Sequence, residues 1–159
     1  MPAPTEFRIL QNLQNALKAI TTGGGYHYSV AANAVKLDLN AGVEALVSPD
    51  GPRPFIVIEL GAERWKYDES GQQVGLVLPW TVYWVHDSDP TQDDSLLETY
   101  YRGCADVERA VAIDVNRGGL AQATRVVDRT LDRRVGGSEV WAVVDGECWL
   151  RRTFGQPDS

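Results

Sequence analysis

Between residues 91 and 119 the apolar positions fall at helical spacing. Leu97, Tyr100, Cys104, Val107 and Val111 follow one another at steps of three, four, three and four, while Asp94, Glu98, Arg102, Asp106 and Arg109 fill the opposite side. One apolar stripe against one charged face predicts an amphipathic helix over Thr91–Gly119. Asp89-Pro90 marks its start, because the fixed φ of proline suits a first helical turn. Asp93 and Asp94 place negative charge at the positive end of the helix dipole. Glu98 and Arg102 stand four apart with the acid first, the favourable order for a helical ion pair. Asn116-Arg117-Gly118-Gly119 predicts the end of the helix, since glycine takes the left-handed cap conformation readily.

A second stripe, Phe7, Leu10, Leu13, Leu17 and Ile20, widened by Ile9 and Ala16, predicts an N-terminal helix. Thr5 is its expected N-cap and Gly23-Gly24-Gly25 its stop. The triplet follows a helix and precedes no Lys-Ser/Thr pair, so it lacks the order of a phosphate cradle. Elsewhere the pattern has period two, the mark of strands. Tyr26–Val30, Val35–Leu39, Glu63–Tyr67 and Ala121–Thr130 are predicted strands. Phe55–Ile58 is apolar on both sides and predicts an interior strand. The clearest strand carries Val74, Leu76, Leu78, Trp80, Val82 and Trp84. Pro79 within it cannot donate a ladder hydrogen bond, so a bulge or a free edge is expected there. Ala41–Val47 predicts a short helical turn. Val140–Arg152 is the last strand region, where Asp145-Gly146 reads as a hairpin turn or as a bulge in one long strand. Helices grouped apart from strands indicate an α+β fold: a mostly antiparallel twisted sheet with two main helices packed on it. A single domain over 1–159 is expected, with residues 1–4 and 155–159 flexible.

Composition narrows the function. A chain of 159 residues with 43% hydrophobic and 23% charged content can bury one core. No apolar run suffices to span a bilayer. The N-terminus lacks a basic segment followed by an apolar one, so the chain is expected to stay in the cytoplasm of the cell that makes it. Fifteen basic against twenty-two acidic residues give −7, which argues against gripping nucleic acid as the main task. Cys104 and Cys148 are expected as buried thiols without metal-type spacing, and His27 and His86 as partly buried histidines. Asp87, Asp89, Asp93 and Asp94 resemble a fragment of a calcium loop, but Gln92 stands where that loop requires glycine. Helix capping accounts for these acids. No nucleophile elbow, no Cys-His-Asn set and no carboxylate pair in a cleft is legible. The chain is therefore not expected to be an enzyme, and no catalytic, cofactor or metal residue is assigned.

Three stretches carry a resemblance. The first is the N-terminal helix running into Gly24-Gly25-Tyr26, with Val30 and Val35 after it. The second is Asp106-Val107-Glu108-Arg109-Ala110, then Asp114, Arg117-Gly118-Gly119-Leu120-Ala121 and Thr124-Arg125-Val126. The third is the closing strand with Arg152-Thr153 and Pro157. In order and spacing the chain resembles the tail terminator (tail completion) family of long-tailed bacteriophages. The resemblance covers nearly the whole chain, through structural rather than chemical motifs. The family's long last strand favours the bulge at Asp145-Gly146; the five tryptophans are not a feature of the resemblance.

The resemblance implies a homohexameric ring that caps the finished tail tube, stops its polymerisation and provides the head–tail joining surface. Its partners would be itself, the tail tube protein and a neck or head-completion protein. DNA would pass through the channel without specific binding, which an acidic composition suits, and no membrane is involved. The expected location is the head–tail junction of the virion, after assembly in the host bacterial cytoplasm. The alternatives are another neck ring (head-closure or adaptor) and, from a different class, a small cytosolic ligand-binding domain with the aromatic strand Trp80–Trp84 lining a pocket.

Five residues are candidates for an oligomer or partner interface. Ile113 falls on the polar side of the long helix. Gly103 sits mid-helix, at a cost of about 1 kcal/mol relative to Ala, where it would let another backbone approach. Arg133 and Arg134 lie on a loop within reach of an acidic neighbour, and Arg117 belongs to the basic-Gly-Gly turn. Ile113→Asp, or charge reversal at Arg133 and Arg134, is expected to weaken assembly and leave the fold intact. Unchanged oligomer size in both variants removes these positions from the interface.

Overall fold

The order of elements places every long strand beside its complement and leaves two helices to cover one side. The computed structural model describes residues 3–38, 41–88, 91, 95–132 and 138–151. The helices are α1 (Thr5–Lys18), the single turn α2 (Val43–Leu46) and α3 (Ser95–Ala112). The strands are β1 (Val35–Leu37), β2 (Phe55–Leu60), β3 (Arg64–Tyr67), β4 (Gln73–Asp87), β5 (Ala123–Asp132) and β6 (Glu139–Arg151). The sheet order is β1-β2-β4-β6-β5, with β3 pairing β4 beyond the end of β2. Only β1 and β2 run parallel; the other pairs are antiparallel. This is an α+β domain, as the grouping of periodicities predicts.

The spine is the β4–β6 ladder, unbroken from Gly75↔Arg151 to Asp87↔Glu139. Alternation divides its side chains between two faces. Leu76, Leu78, Trp80, Val82 and Trp84 of β4 share one face with Val140, Ala142, Val144, Cys148 and Leu150 of β6, and all of these are buried. α1 brings Ile9, Leu10, Leu13 and Leu17 to the same core, and α3 brings Tyr100, Cys104, Val107, Ala110 and Val111. Both cysteines are free and buried. Pro79 sits where β4 passes from β2 to β3. Its carbonyl accepts from Gly61 N on that side, so its missing N–H faces the same side and the ladder to β6 is untouched.

Several boundaries differ from the periodicity. Thr5 is the first residue of α1 and Pro4 its cap. The long helix ends at Ala112, and residues 113–120 are turns. Phe7 and Leu97 lie on the edges of their stripes and are exposed, whereas Asp106, expected outside, is 2% exposed. Tyr26–Val30 is not a strand, because the N–H groups of His27 and Tyr28 go to the Asp106 carboxylate instead of a neighbouring strand. No bulge occurs at Asp145-Gly146: β6 is continuous there, and the shift lies in β5, between Val126 and Asp128. Asp89, Pro90, Asp93 and Asp94 lie outside the described residues, as do residues 1–2 and 155–159.

Two glycines make room for two indoles. A Cβ on Gly146 would stand 2.1 Å from Trp80 Cζ2 and 2.6 Å from the Arg125 carbonyl oxygen, and one on Gly103 would stand 2.5 Å from Trp84 Cε3 and Cζ3. Gly146 is also the direct cross-strand partner of Trp80. Gly103→Ala and Gly146→Ala are each expected to destabilise by at least the overpacking cost of about 1–3 kcal/mol, read from denaturant midpoints. Trp84→Phe removes the ring atoms facing Gly103, so Gly103→Ala should cost less in that background. Equal costs in both backgrounds would show that this contact does not set the spacing of helix and sheet.

Candidate assembly interface

The C-terminal half of α3 holds the residues that the sequence singles out. Asp106 accepts from His27 N at Oδ1 and from Tyr28 N at Oδ2, both at 2.9 Å. One turn later Arg109 donates to the carbonyls of Gly25 and Gly24 and lies over the Tyr26 ring, 4.9 Å from its centroid. A carboxylate and a guanidinium thus tie residues 24–28 to the helix.

Beyond Ala112 the chain reverses through three successive left-handed residues, Arg117 (φ 47°), Gly118 (φ 68°) and Gly119 (φ 84°). Asp114 Oδ2 accepts from Gly118 N at 2.7 Å. The left-handed conformation costs a non-glycine residue free energy, and here it turns the Arg117 side chain inward. Its Nη2 donates to the Val111 carbonyl at the helix end, while Nε and Nη1 have no partner among the described residues. Burial pushes the Arg117 pKa down, against the charge of Asp114.

The five sequence candidates therefore separate. Ile113 is 72% exposed and stands free on the surface. Gly103 is buried and does not admit another chain; the group that approaches it is Trp84 of its own sheet. Arg117 is fully buried and is a helix-end residue rather than a contact. Arg133 and Arg134 lie outside the described residues. The aromatic strand lines no ligand pocket either, since Trp80 and Trp84 are 1% and 0% exposed and their rings fill the space over the two glycines. Of the histidines, His27 is exposed. His86 packs on Tyr28 and Trp84, and burial lowers its pKa, partly offset by Asp87. Among the described residues no group of three or more His, Cys, Asp or Glu could hold a metal ion, and no helix is long and apolar enough to cross a membrane.

A surface that periodicity did not single out lies on the sheet face away from α1 and α3. Cross-strand pairing brings Arg64 and Lys66 of β3, Glu147 and Trp149 of β6 and Arg125 of β5 to one end of it. With Trp65 and Val77 these residues line a shallow depression. Lys66 Nζ stands 2.8 Å from the centroid of the Trp149 ring and Arg125 Cζ 4.9 Å, a cation–π arrangement. Glu147, 6% exposed, accepts from Arg64 Nη2 at 2.9 Å, Arg125 Nε at 2.7 Å and Trp149 Nε1 at 2.9 Å. Burial alone would raise its pKa, but the hydrogen bonds from Trp149 and Arg125 and the charges of Arg125 and Arg64 outweigh it, and the net shift is downward. Three cations against one carboxylate leave this end positive.

Further along β4, at the level of Thr81, the sign reverses. Glu59, Thr81, Asp145 and Asp128 form one row across β2, β4, β6 and β5. Thr81 Oγ1 donates to Asp145 Oδ1 at 2.5 Å, and the three acids have no cationic partner within 4.0 Å among the described residues. Beside them the Tyr83 pKa is raised, by burial first and then by the charges of Glu59 and Asp145. The residue types were visible in the sequence. Their convergence needed the register of four strands.

No protein-family model matches the chain, and no curated protein matches it. Among solved structures it is similar to a chain of the "Virion of native gene transfer agent (GTA) particle", with a TM-score of 0.43 and 12% identity over 88% of this chain and 92% of that one.

Glu147 offers a pH test. Its folded pKa lies below the ordinary 4.5, so the stability it contributes is complete above that value and is lost as pH falls through the folded pKa. The stability gap between wild type and Glu147→Gln should be widest near pH ~7 and narrow towards pH ~3. A gap independent of pH would show that the Glu147 charge does not hold the cluster together.

Proposed function

We propose that this chain is a virion structural protein that works by assembly rather than catalysis, and that it is the tail terminator of a long-tailed phage-like particle. In this reading copies form a six-membered ring that caps the tail tube, stops its growth and offers a surface to a neck or head-completion protein. The observation that carries the reading is the stretch from Asp106 to Gly119. These are the residues on which the sequence resemblance rests most, and here they form one structural device: Asp106 and Arg109 grip the loop after α1, and Arg117-Gly118-Gly119 turns the chain from α3 towards β5. Exposed apolar side chains at the helix end, Ile113 at 72% and Val115 at 45%, suit a subunit surface that other copies cover. The net charge of −7 suits a channel through which DNA slides without sticking.

Native mass measurement and negative-stain imaging over a concentration series, without and then with purified tail tubes, test the proposal. Rings of six with a central hole, or rings that appear only on tube ends and halt tube extension, are the expected outcome. Binding to neck or portal components without any effect on tubes would favour a head-closure or adaptor ring. A chain that stays monomeric and ignores both would end the proposal.

A further inference from the structure

We propose that the cationic end of the sheet face away from α1 and α3, where Arg64, Lys66, Arg125 and Arg151 surround Glu147 and Trp149, docks a short acidic segment of a partner protein, one that carries two or more carboxylates close together. This goes beyond the terminator reading and does not depend on it, because a monomer and a ring subunit would carry the same site.

The cations gather against the balance of the chain. Its net charge is −7, yet strand register brings four cations to one end. Lys66, Gly75 and Arg151 lie in one row across β3, β4 and β6. Alternation puts Arg151 on the same face as Trp149 and Glu147, where it joins Arg64, Lys66 and Arg125. The carboxylate at the centre, Glu147, is buried and already accepts from Arg64, Arg125 and Trp149. Arg64 meets it through Nη2 and Arg125 through Nε and Nη2. Nη1 of both is left for another acceptor, and the two side chains are 66% and 59% exposed. Lys66 and Arg151 have no carboxylate within 4.0 Å among the described residues. The planar guanidinium fork matches a carboxylate closely. Glu147 and the Trp149 ring hold three of the four cations in place before a partner arrives, so docking orders few side chains.

Two observations set the size and kind of the occupant. The acidic row is level with Thr81, two residues along β4 from Pro79, which faces Glu147. At strand rise the row begins roughly 7 Å away, within the Debye length of about 10 Å at 0.1 M salt. A nucleic-acid backbone laid along the strands would run from the cations into these acids, whereas a short anionic segment stops before them. The second observation concerns the indole. Lys66 and Arg125 lie over the Trp149 ring, so the ring serves the cations rather than a stacked base. A compact group of carboxylates is the anion that matches both.

NMR titration of the isotope-labelled full chain tests the site, with capped tetra-aspartate as the probe. At ~20 mM NaCl the Trp149 indole N–H and the Lys66 and Arg151 amide signals should shift saturably, with a dissociation constant below ~1 mM. At ~500 mM NaCl the affinity should fall at least tenfold as screening shortens the reach of the charges. Lys66→Glu and Arg151→Glu should each weaken binding by roughly tenfold or more, and circular dichroism checks that both fold. Arg8→Glu, at an exposed position of α1, changes the net charge equally and should leave the affinity within about twofold, since it lies outside the site. Four results overturn the proposal. They are no saturable shift at low salt, shifts spread over the surface instead of this end, equal weakening by Arg8→Glu and Lys66→Glu, and oligothymidylate that binds these residues more tightly than tetra-aspartate. Ring formation on tail tubes is read separately, so failure here leaves the terminator proposal standing.

Discussion

The pairing of β4 with β6 is the constraint on which the molecule depends. Its helix-side face carries two indoles, and a sheet cannot seat a helix closely over tryptophan unless something yields. Here the backbone yields. Gly146 lets Trp80 lie across its own partner strand, and Gly103 lets α3 rest on Trp84. Close packing makes both positions intolerant of even one methyl group. The small and β-branched residues of β6, Val140, Ala142 and Val144, complete the floor under α3. The displaced β5 register follows from the same crowding: β5 brings the Arg125 carbonyl to 2.6 Å from where a Gly146 Cβ would stand, and the extra residue of the bulge falls next to it.

Once α3 is seated, its charged residues organise the loops. Asp106 is among the least exposed polar groups of the chain, and an uncompensated buried carboxylate would be costly. Two backbone N–H groups compensate it and tie the loop after α1 to the helix. Arg117 is the counterpart at the other end of the helix. Its strained backbone directs a guanidinium to an orphan carbonyl of the last turn, which satisfies a helix terminus from inside the protein. Two residues that read as surface charges are thus structural, and the surface left for partners is what remains exposed around them.

That surface has two parts of different character. The end of α3 is apolar, with Ile113 and Val115 outward. On the sheet face away from α1 and α3, Val57, Val85 and Trp141 are buried at one end, and the rest is polar, with a cation–indole end and an acidic row.

The periodicities of single segments were legible in the sequence. The stripes Leu10-Leu13-Leu17 and Tyr100-Cys104-Val107-Val111, the alternation from Val74 to Trp84 and the apolar run Phe55–Ile58 each report burial on one element, because helix and strand geometry fix which side chains share a face. From these the α+β class and the long strands follow. Tertiary structure decided everything that depends on two segments at once. Nothing in the local pattern distinguishes a glycine that admits a partner's backbone from one that admits an indole of its own sheet, as at Gly103. Nor does it separate a solvated aspartate from one that meets two N–H groups 78 and 79 residues away. The charged face is the clearest case: Lys66, Arg125 and Trp149 are scattered through the chain and become one site only through strand register. Local sequence sets which way a side chain points along its own element, and only the packing of elements sets what it meets there.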